Sequence, residues 1–544
     1  MGPAQPAVRQ GSVREGFGFQ ASDFGFPGFD ARSTRSRSRP RPSFREPDRE
    51  KPEAFRLTSD ARGALDPGRM ETRVTASPSR RFGRCLAAFL GAAFVLGSWA
   101  PRPAGAQELP FTKYALKNGL TVVLHEDHSL PLVAVNVMYK VGSRFEEQKR
   151  TGFAHLFEHL MFMGTKRAPT KMFDAWMEEE GGWNNAWTSE DRTDYFDVGP
   201  AHILPLLLWL EADRLQALAA SMDEPKLNAQ REVVRNERRQ TSENTPYGKV
   251  ELRLPELLYP VGHPYHHPVI GSHEDLQAAT VADVKSFFGR WYVPNNASLV
   301  VAGDFDAKAV RATIEQLFGA VPSGTVPPAP PAGPVKLAQV VRETIPDDVN
   351  LGKVVIAWHS PARFAAGDAE LDLLAVALED GKASRLYKAL VYDQAIAQEV
   401  GATQESGDLG SRFVVEAIAR PDVPLPKLEA AIDAELAKIT AAPITDAELT
   451  RAKNQYETGF VSRMQSIAQR ASILNTYETH RGDPGFAPKD LARYRSATAA
   501  GIQATAKATL DPKGRVILHV VPKGQPDKEK PKKPAKPAPK EGSK

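Results

Sequence analysis

Two histidines and a glutamate lie close together in residues 151–165, a segment otherwise rich in apolar side chains. His155 and His159 are four positions apart, so a helix would place both imidazoles on one face. Two neutral imidazoles one turn apart can bind a zinc ion, and a neighbouring carboxylate, here Glu158, can accept a proton from metal-bound water. Burying three titratable groups on an apolar helix is costly unless a cation accompanies them. The segment therefore predicts a zinc site, and a pair of structural histidines is the alternative.

A third metal ligand is expected downstream, because open catalytic zinc sites use three protein ligands and a water molecule. A charged helix predicted over residues 224–243 offers two candidates, Glu232 and Glu237. Taken alone, either glutamate is better explained as a solvated helix charge, so the residue types leave the third ligand open. The order H-x-x-E-H is nevertheless the reverse of H-E-x-x-H and is itself a peptidase signature.

Length and composition limit the classes of protein that remain. The chain has 544 residues and a formal net charge of +4, which allows two to four domains and does not indicate nucleic-acid binding. Its single cysteine, Cys85, lies in a segment that we expect to be removed. Disulfides, cysteine-ligated zinc and cysteine catalysis are therefore excluded for the mature protein, and any metal must be held by histidine and carboxylate.

The N-terminal region is typical of an exported protein. Residues 1–79 are rich in Arg, Ser, Pro and Gly and are predicted to be disordered. Residues 80–106 combine a basic start, a short apolar run and small residues, as in a signal peptide. Since a signal peptide begins near the start of a protein, we predict that translation starts at Met70 and that residues 1–69 are a misassigned extension. Cleavage after Ala106 predicts a periplasmic or secreted protein without a transmembrane span, and an uncleaved anchor is the alternative.

The remaining chain divides into two halves with the same strand–helix–strand style. Residues 107–321 contain the H-x-x-E-H segment, residues 335–523 do not, and the proline-rich residues 322–334 suit a stiff linker. Residues 524–544 are predicted to be a solvated Lys/Pro-rich tail. The predicted elements of the first half are a hairpin at 114–126, strands at 132–141 and 297–302, a turn at 181–188 that leads into a strand continuing to residue 196, and helices at 202–220 and 224–243. In the second half, strand patterns at 340–358 and 413–418 lie around a helical pattern at 371–390.

Several motifs together resemble the pitrilysin/insulinase family of zinc metallopeptidases, which includes mitochondrial processing peptidase. After the H-x-x-E-H segment come N-A-W-T at residues 185–188 and V-V-R-N-E at residues 233–237, in the order typical of that family. W-Y-V-P-N-N at residues 291–296 and S-R-L at residues 384–386 also match. The resemblance covers about residues 111–520.

The resemblance implies an α+β fold of two homologous domains, each an antiparallel-rich sheet with helices packed on it. It also implies an endopeptidase that hydrolyses unfolded peptides with one Zn²⁺ per chain. Glu237 matches the family's third ligand beside the two histidines. Glu158 would be the general base toward a zinc-activated water. By the same resemblance, Asn185 and Ala186 would bind the substrate backbone by strand addition.

The sequence departs from the family pattern at two places. Gln230 stands where a second acidic residue often supports the site. Val391 and Gln398 stand where family enzymes with a complete site carry an Arg and a Tyr that hold the substrate carbonyl. We therefore predict a homologous partner subunit that lacks H-x-x-E-H and supplies this pair, with a homodimer as the fallback. A non-catalytic scaffold subunit is the alternative function. A metal-storage protein would not need Glu158.

A second group of histidines is predicted to have a structural role and not to bind a metal. His263, His266 and His267 lie between prolines and are predicted to form a structured loop.

Overall fold

The computed structural model describes residues 108–333 and 335–524. The predictions for residues 1–79, for the signal peptide at 80–106 with Met70 upstream of it, and for nearly all of the tail at 524–544 lie outside the described residues. Among the helices that the structure describes, none is both long and apolar enough to cross a membrane.

The first half of the chain forms a six-stranded sheet. Its strands are β1 (Thr112–Ala115), β2 (Thr121–Glu126), β3 (Leu132–Tyr139), β4 (Trp183–Thr188), β5 (Thr193–Pro200) and β6 (Ala297–Gly303). The order across the sheet is β1-β2-β6-β3-β5-β4. Only β2 and β6 pair in parallel, and every other neighbouring pair is antiparallel. Strand β4 therefore lies at an edge of this sheet. The prediction of a turn at 181–188 and one strand continuing to residue 196 is wrong, because residues 189–192 reverse the chain and β4 and β5 pair as antiparallel strands.

Helices of the first half pack mainly on one face of this sheet, around a core that includes Val135, Leu156, Phe157 and Leu208. The predicted helix at residues 224–243 is α-helical to Arg238 and then continues as a π-helix over Arg239–Glu243. The helices are α1 (Phe153–Leu160), α2 (Met172–Glu179), α3 (Leu204–Ser221), α4 (Glu224–Arg238), α5 (Lys249–Leu258), α6 (His273–Ala278), α7 (Val281–Trp291) and α8 (Ala307–Phe318).

The second half repeats this arrangement with five strands, β7 (Val341–Asp347), β8 (Lys353–Ser360), β9 (Ala397–Glu405), β10 (Ser411–Ala419) and β11 (Val516–Pro522). Their order is β7-β11-β8-β10-β9, with β7 and β11 parallel, as β2 and β6 are in the first sheet. The predicted α+β fold of two homologous domains is thereby confirmed. The helices are α9 (Asp368–Glu379), α10 (Leu425–Ala441), α11 (Asp446–Arg463), α12 (Ile467–Arg481), α13 (Ala487–Ser496) and α14 (Ala499–Thr509).

Two predicted elements of the second half are wrong in their bounds. The strand pattern at residues 340–358 is two strands, β7 and β8, with a turn at Gly352 between them. The helical pattern at residues 371–390 is interrupted, because α9 ends at Glu379 and Gly381 adopts a φ of +77° that a helix does not contain. A separate π-helix follows at Tyr387–Asp393.

One helix from each half packs against the sheet of the other half. Helix α5, from the first half, places Val250, Leu254 and Leu258 against the second sheet. Helix α12, from the second half, places Ala471 and Leu474 against the face of the first sheet that α1 does not cover. The two sheets are thus each covered on both faces only when the halves are together.

Polar contacts across the same boundary converge on Asp191, which follows β4 and is buried. Its carboxylate accepts hydrogen bonds from Arg144 Nη1 at 2.8 Å and from Tyr265 Oη at 2.6 Å. It also accepts one from the backbone N–H of Asp408, in the second half, at 3.0 Å. Asp191 therefore fastens the turn after β4 to the second domain.

Replacing Asp191 with Ala is expected to destabilise the fold strongly. The change leaves the buried Tyr265 hydroxyl without its carboxylate acceptor and removes one of two carboxylates at Arg144, which keeps Asp408 Oδ2 at 3.3 Å. Leaving a buried polar group unpaired costs about 1–3 kcal/mol and breaking a buried ion pair about 3–5 kcal/mol, so a loss of about 3 kcal/mol is expected. The free energy of unfolding from denaturant titration measures this loss. Glu315→Ala is the matched control, because its ion pair with Arg311 is about half exposed on both sides and is worth at most about 1 kcal/mol. Equal losses in the two variants would contradict the role of Asp191.

Candidate metal centre

Helix α1 is fixed at its N-terminus by a glycine and a buried carboxylate. Gly152 has a φ of +84°, and a Cβ there would lie 2.7 Å from the carbonyl oxygen of Ile270, so only glycine fits. The Glu146 carboxylate accepts hydrogen bonds from the N–H groups of Gly152 at 2.9 Å and Ala154 at 2.7 Å. Burial raises the pKa of the Glu146 carboxyl well above its usual range, although the N–H groups of Ala154 and Gly152 favour its charged form. Its oxygens satisfy N–H groups that have no partner within the first turn of the helix. Sequence analysis missed Glu146, because it precedes the helix and reaches it only through the turn between them.

One face of α1 packs in the core, and another face carries the two histidines. Phe157 packs against Phe287, Phe288 and Tyr292, with ring centroids between 4.5 and 5.5 Å apart. This aromatic contact anchors α1 to α7 and holds the histidine-bearing face toward α4. Helix α4 in turn buries Leu227 and Val234 in the core.

The two histidines of α1 meet Glu237 of α4. His159 Nε2 lies 3.2 Å from Glu237 Oε2, and His155 Nε2 lies 3.7 Å from Glu237 Oε1. One ligand atom from each of the three residues lies within 4.8 Å of the others, and no other such group of three occurs in residues 108–333 and 335–524. Ligands about 2.1 Å from a tetrahedral zinc are about 3.4 Å from one another. The donor atoms thus fit a zinc ion.

Glu232, the other candidate ligand, does not take part in this cluster. Its side chain is 56% exposed and forms an ion pair with Arg235 at 2.7 Å on the same helix. The geometry therefore favours Glu237 as the third ligand.

Electrostatics within the cluster suit metal ligation. Burial lowers the pKa of His155 to about 4, so its imidazole is neutral near pH 7 and keeps a free lone pair. Burial also opposes the charged form of His159, but hydrogen bonding to Glu237 and the nearby carboxylate of Glu158 raise its pKa overall. For Glu237, burial favours the neutral form, and the two histidines outweigh it and lower the pKa. The raised pKa of His159 and the lowered pKa of Glu237 thus share a cause, which is the hydrogen bond between the two side chains.

Glu158 lies between the histidines in sequence and is almost completely buried. Burial raises the pKa of its carboxyl to about 7, against the opposing effects of His159 and of a hydrogen bond from Thr188. A carboxyl with this pKa can both accept and release a proton near neutral pH. This is the property that a general base and acid requires.

Gln230 occupies the position where the family often has an acidic residue. Its side chain hydrogen-bonds to His159, and its amide nitrogen contacts Met163 Sδ at 2.8 Å. A neutral amide therefore lies beside the candidate ligand His159 at this position.

The predicted substrate strand is the edge strand β4, whose outer side is not paired with any described strand. Asn185 is exposed, and its Oδ1 accepts a hydrogen bond from the backbone N–H of Ala186 at 2.8 Å. At the end of the same strand, Thr188 reaches Glu158. The edge thus leads to the candidate general base.

The other sequence-predicted positions lie away from the cluster. His263 stacks on Tyr259 with ring centroids 4.6 Å apart, and His266 Nδ1 lies 2.8 Å from the carbonyl oxygen of Tyr259. These contacts confirm a structured loop. Val391 is buried in the π-helix of the second half, and Gln398 lies on β9.

Comparisons with known proteins agree with this fold. Residues 121–261 match the family described as Insulinase (Peptidase family M16), and residues 278–456 match the Peptidase M16 inactive domain. The chain is 32% identical to the zinc protease PqqE of Helicobacter pylori over 366 residues, which cover 66% of this chain and 82% of that protein. The chain therefore belongs to the insulinase family of peptidases, family M16.

Solved structures show the same fold. A protease from Helicobacter pylori superposes with a TM-score of 0.72 at 28% identity, covering 76% of this chain and 100% of the other. The periplasmic protease PqqL from Escherichia coli superposes with a TM-score of 0.62 at 20% identity, covering 76% of this chain and 48% of that longer chain. This chain thus corresponds in fold to about half of PqqL.

Proposed function

We propose that this protein is an exported zinc-dependent endopeptidase that hydrolyses unfolded peptides. The observation that carries the proposal is the convergence of His155, His159 and Glu237 beside the buried Glu158. The name of the Helicobacter pylori relative, a zinc protease, supports the same chemistry.

In the proposed mechanism, His155 and His159 bind the metal through Nε2 and Glu237 binds it through its carboxylate. A zinc ion in this site supplies Lewis acidity for the attacking water and the scissile carbonyl. Glu158 takes a proton from the attacking water on a carboxylate oxygen and later delivers it to the leaving amine. A metal-storage site would not need this buried carboxylate beside the ligands.

The substrate is proposed to bind as an additional strand beside β4. Backbone groups of Asn185 and Ala186 then pair with the peptide, and Asn185 Oδ1 must first release the Ala186 N–H that it occupies. Only an extended segment can add to a strand edge, so unfolded peptides are the expected substrates.

A homologous partner subunit is proposed to complete the site. Val391 has no polar side-chain group to hold the substrate carbonyl, and Gln398 is not the Tyr of the family pattern. The likeness in fold to about half of PqqL is compatible with a chain that works beside a second, similar half. The proposed location is the periplasm, as for PqqL, which is described as a periplasmic protease.

The proposal is tested on protein purified from cells that express the full chain. Zinc per chain is measured together with cleavage of a quenched fluorescent peptide, with and without a homologous partner that lacks H-x-x-E-H. One zinc and cleavage only with the partner is the expected result. Cleavage by this chain alone would show that the missing pair is dispensable. Zinc without cleavage under either condition would favour the scaffold function instead.

A further inference from the structure

The Glu158 carboxylate has a single hydrogen-bond donor within the part of the chain that the structure describes. Thr188 Oγ1 lies 2.5 Å from Glu158 Oε2, and Glu158 as a residue is 8% exposed. Thr188 is the last residue of β4 and pairs across the sheet with Thr193. The contact therefore joins helix α1 to strand β4.

The neighbouring contacts fix the direction of this hydrogen bond. Thr193 Oγ1 donates its proton to the carbonyl oxygen of Val141 at 2.9 Å. The two threonine hydroxyls are 3.4 Å apart, which is long for a hydrogen bond between hydroxyl groups. The Thr188 proton is thus directed at Glu158, where a carboxylate offers the stronger acceptor.

We propose that Thr188 is a positioning residue for the general base: its hydroxyl holds Oε2 of Glu158 and leaves Oε1 to take the proton from the attacking water. This inference rests on the proposed function. The two oxygens of the Glu158 carboxylate then have different roles, and Thr188 of β4 sets the orientation of the carboxylate.

Strand β4 then serves two parts of the reaction at once. Its edge at Asn185 and Ala186 would align the peptide backbone, and its end at Thr188 aligns the carboxylate. Three residues further on, Asp191 fastens the chain to the second domain. Strand β4 therefore positions both the substrate backbone and the Glu158 carboxylate. A reaction that depends on close alignment of its groups needs such a common support.

The test compares Thr188→Val, which removes the hydroxyl at nearly the same volume, with Thr188→Ser, which keeps it. In protein purified from the full chain, with the partner where activity needs it, Thr188→Val should lower kcat about 10- to 100-fold, the range expected for a hydrogen bond to a charged group. KM and zinc content should stay unchanged, and Thr188→Ser should restore most of kcat. Thr313→Val is the control, because it removes an exposed hydroxyl that bonds only within its own helix.

A second readout does not depend on turnover. Thermal midpoints of the metal-free protein are measured for Thr188→Val, for Glu158→Ala, which removes the acceptor of the hydrogen bond, and for the double variant. The double variant should lose less than the sum of the two single losses, because both remove the same contact. Additive losses of the thermal midpoint would overturn the inference, whether or not the wild type is active. An inactive wild type would instead overturn the proposed function.

Two activity results would also overturn the inference. One is an active wild type together with unchanged kcat in Thr188→Val. The other is a Thr188→Val protein that loses zinc, or that loses kcat while Thr188→Ser does not restore it. This result would mean that Thr188 only supports the fold.

Discussion

Glu158→Gln should bind one zinc per chain and hydrolyse peptides about 100- to 10,000-fold more slowly than the wild type, the range that general acid–base catalysis supplies. Glutamine has nearly the same shape as glutamate and can still accept the hydrogen bond from Thr188. It cannot take up a proton from water, so the loss falls on kcat. Zinc content by metal analysis and steady-state cleavage of a fluorescent peptide measure both parts of the prediction.

Glu147→Gln is the matched control for this substitution. Glu147 precedes the same helix, its side chain is 65% exposed, and it forms an ion pair with Arg290 at the surface. It should keep both zinc and full activity. Substantial turnover by Glu158→Gln, with the control also active, would remove Glu158 from the mechanism.

Glu237→Gln should lose zinc as well as activity. The change replaces a charged ligand by a neutral amide and leaves only two histidines on the metal. Removal of an outer partner of a metal ligand already weakens binding about 10- to 100-fold, so the loss of a ligand should exceed about 100-fold. Zinc dissociation constants from chelator competition measure this difference.

The same helix provides the control for Glu237. Glu232→Gln removes the other glutamate that the sequence left open as a ligand, and its side chain faces solvent beside Arg235. Zinc binding should be unchanged in this variant. If Glu232→Gln lost zinc and Glu237→Gln kept it, the cluster would be assigned to the wrong residue of α4.

Local sequence patterns predicted many of the strands and helices, and the two histidines of the candidate site. The four-residue spacing of His155 and His159 requires only that the segment be helical, and apolar residues at helical intervals indicated that it is. The hairpin at residues 114–126 followed from Asn118-Gly119, because Gly119 adopts the positive φ that such a turn needs. Features of this kind depend on neighbours in the chain, so the sequence exposes them directly.

Long-range partners could not be predicted in the same way. Glu232 and Glu237 are equally charged and lie on one helix, and only its crossing with α1, or the family resemblance, separates them. The apolar residues of α5 and α12 do not indicate that each helix covers the sheet of the opposite half. Thr188 had no signal of its own beyond its place in N-A-W-T, since its role depends on where β4 ends relative to Glu158.

The exchanged helices α5 and α12 make the protein resistant to being cut into its halves. A protease that cleaved the chain between the sheets, in residues 322–333 or 335–340, where the structure has no helix or strand, would break one covalent connection. The apolar contacts of α5 with the second sheet and of α12 with the first would still hold the fragments together. A nick at this exposed proline-rich connection would therefore leave both fragments associated and the candidate metal ligands, all on one fragment, in place.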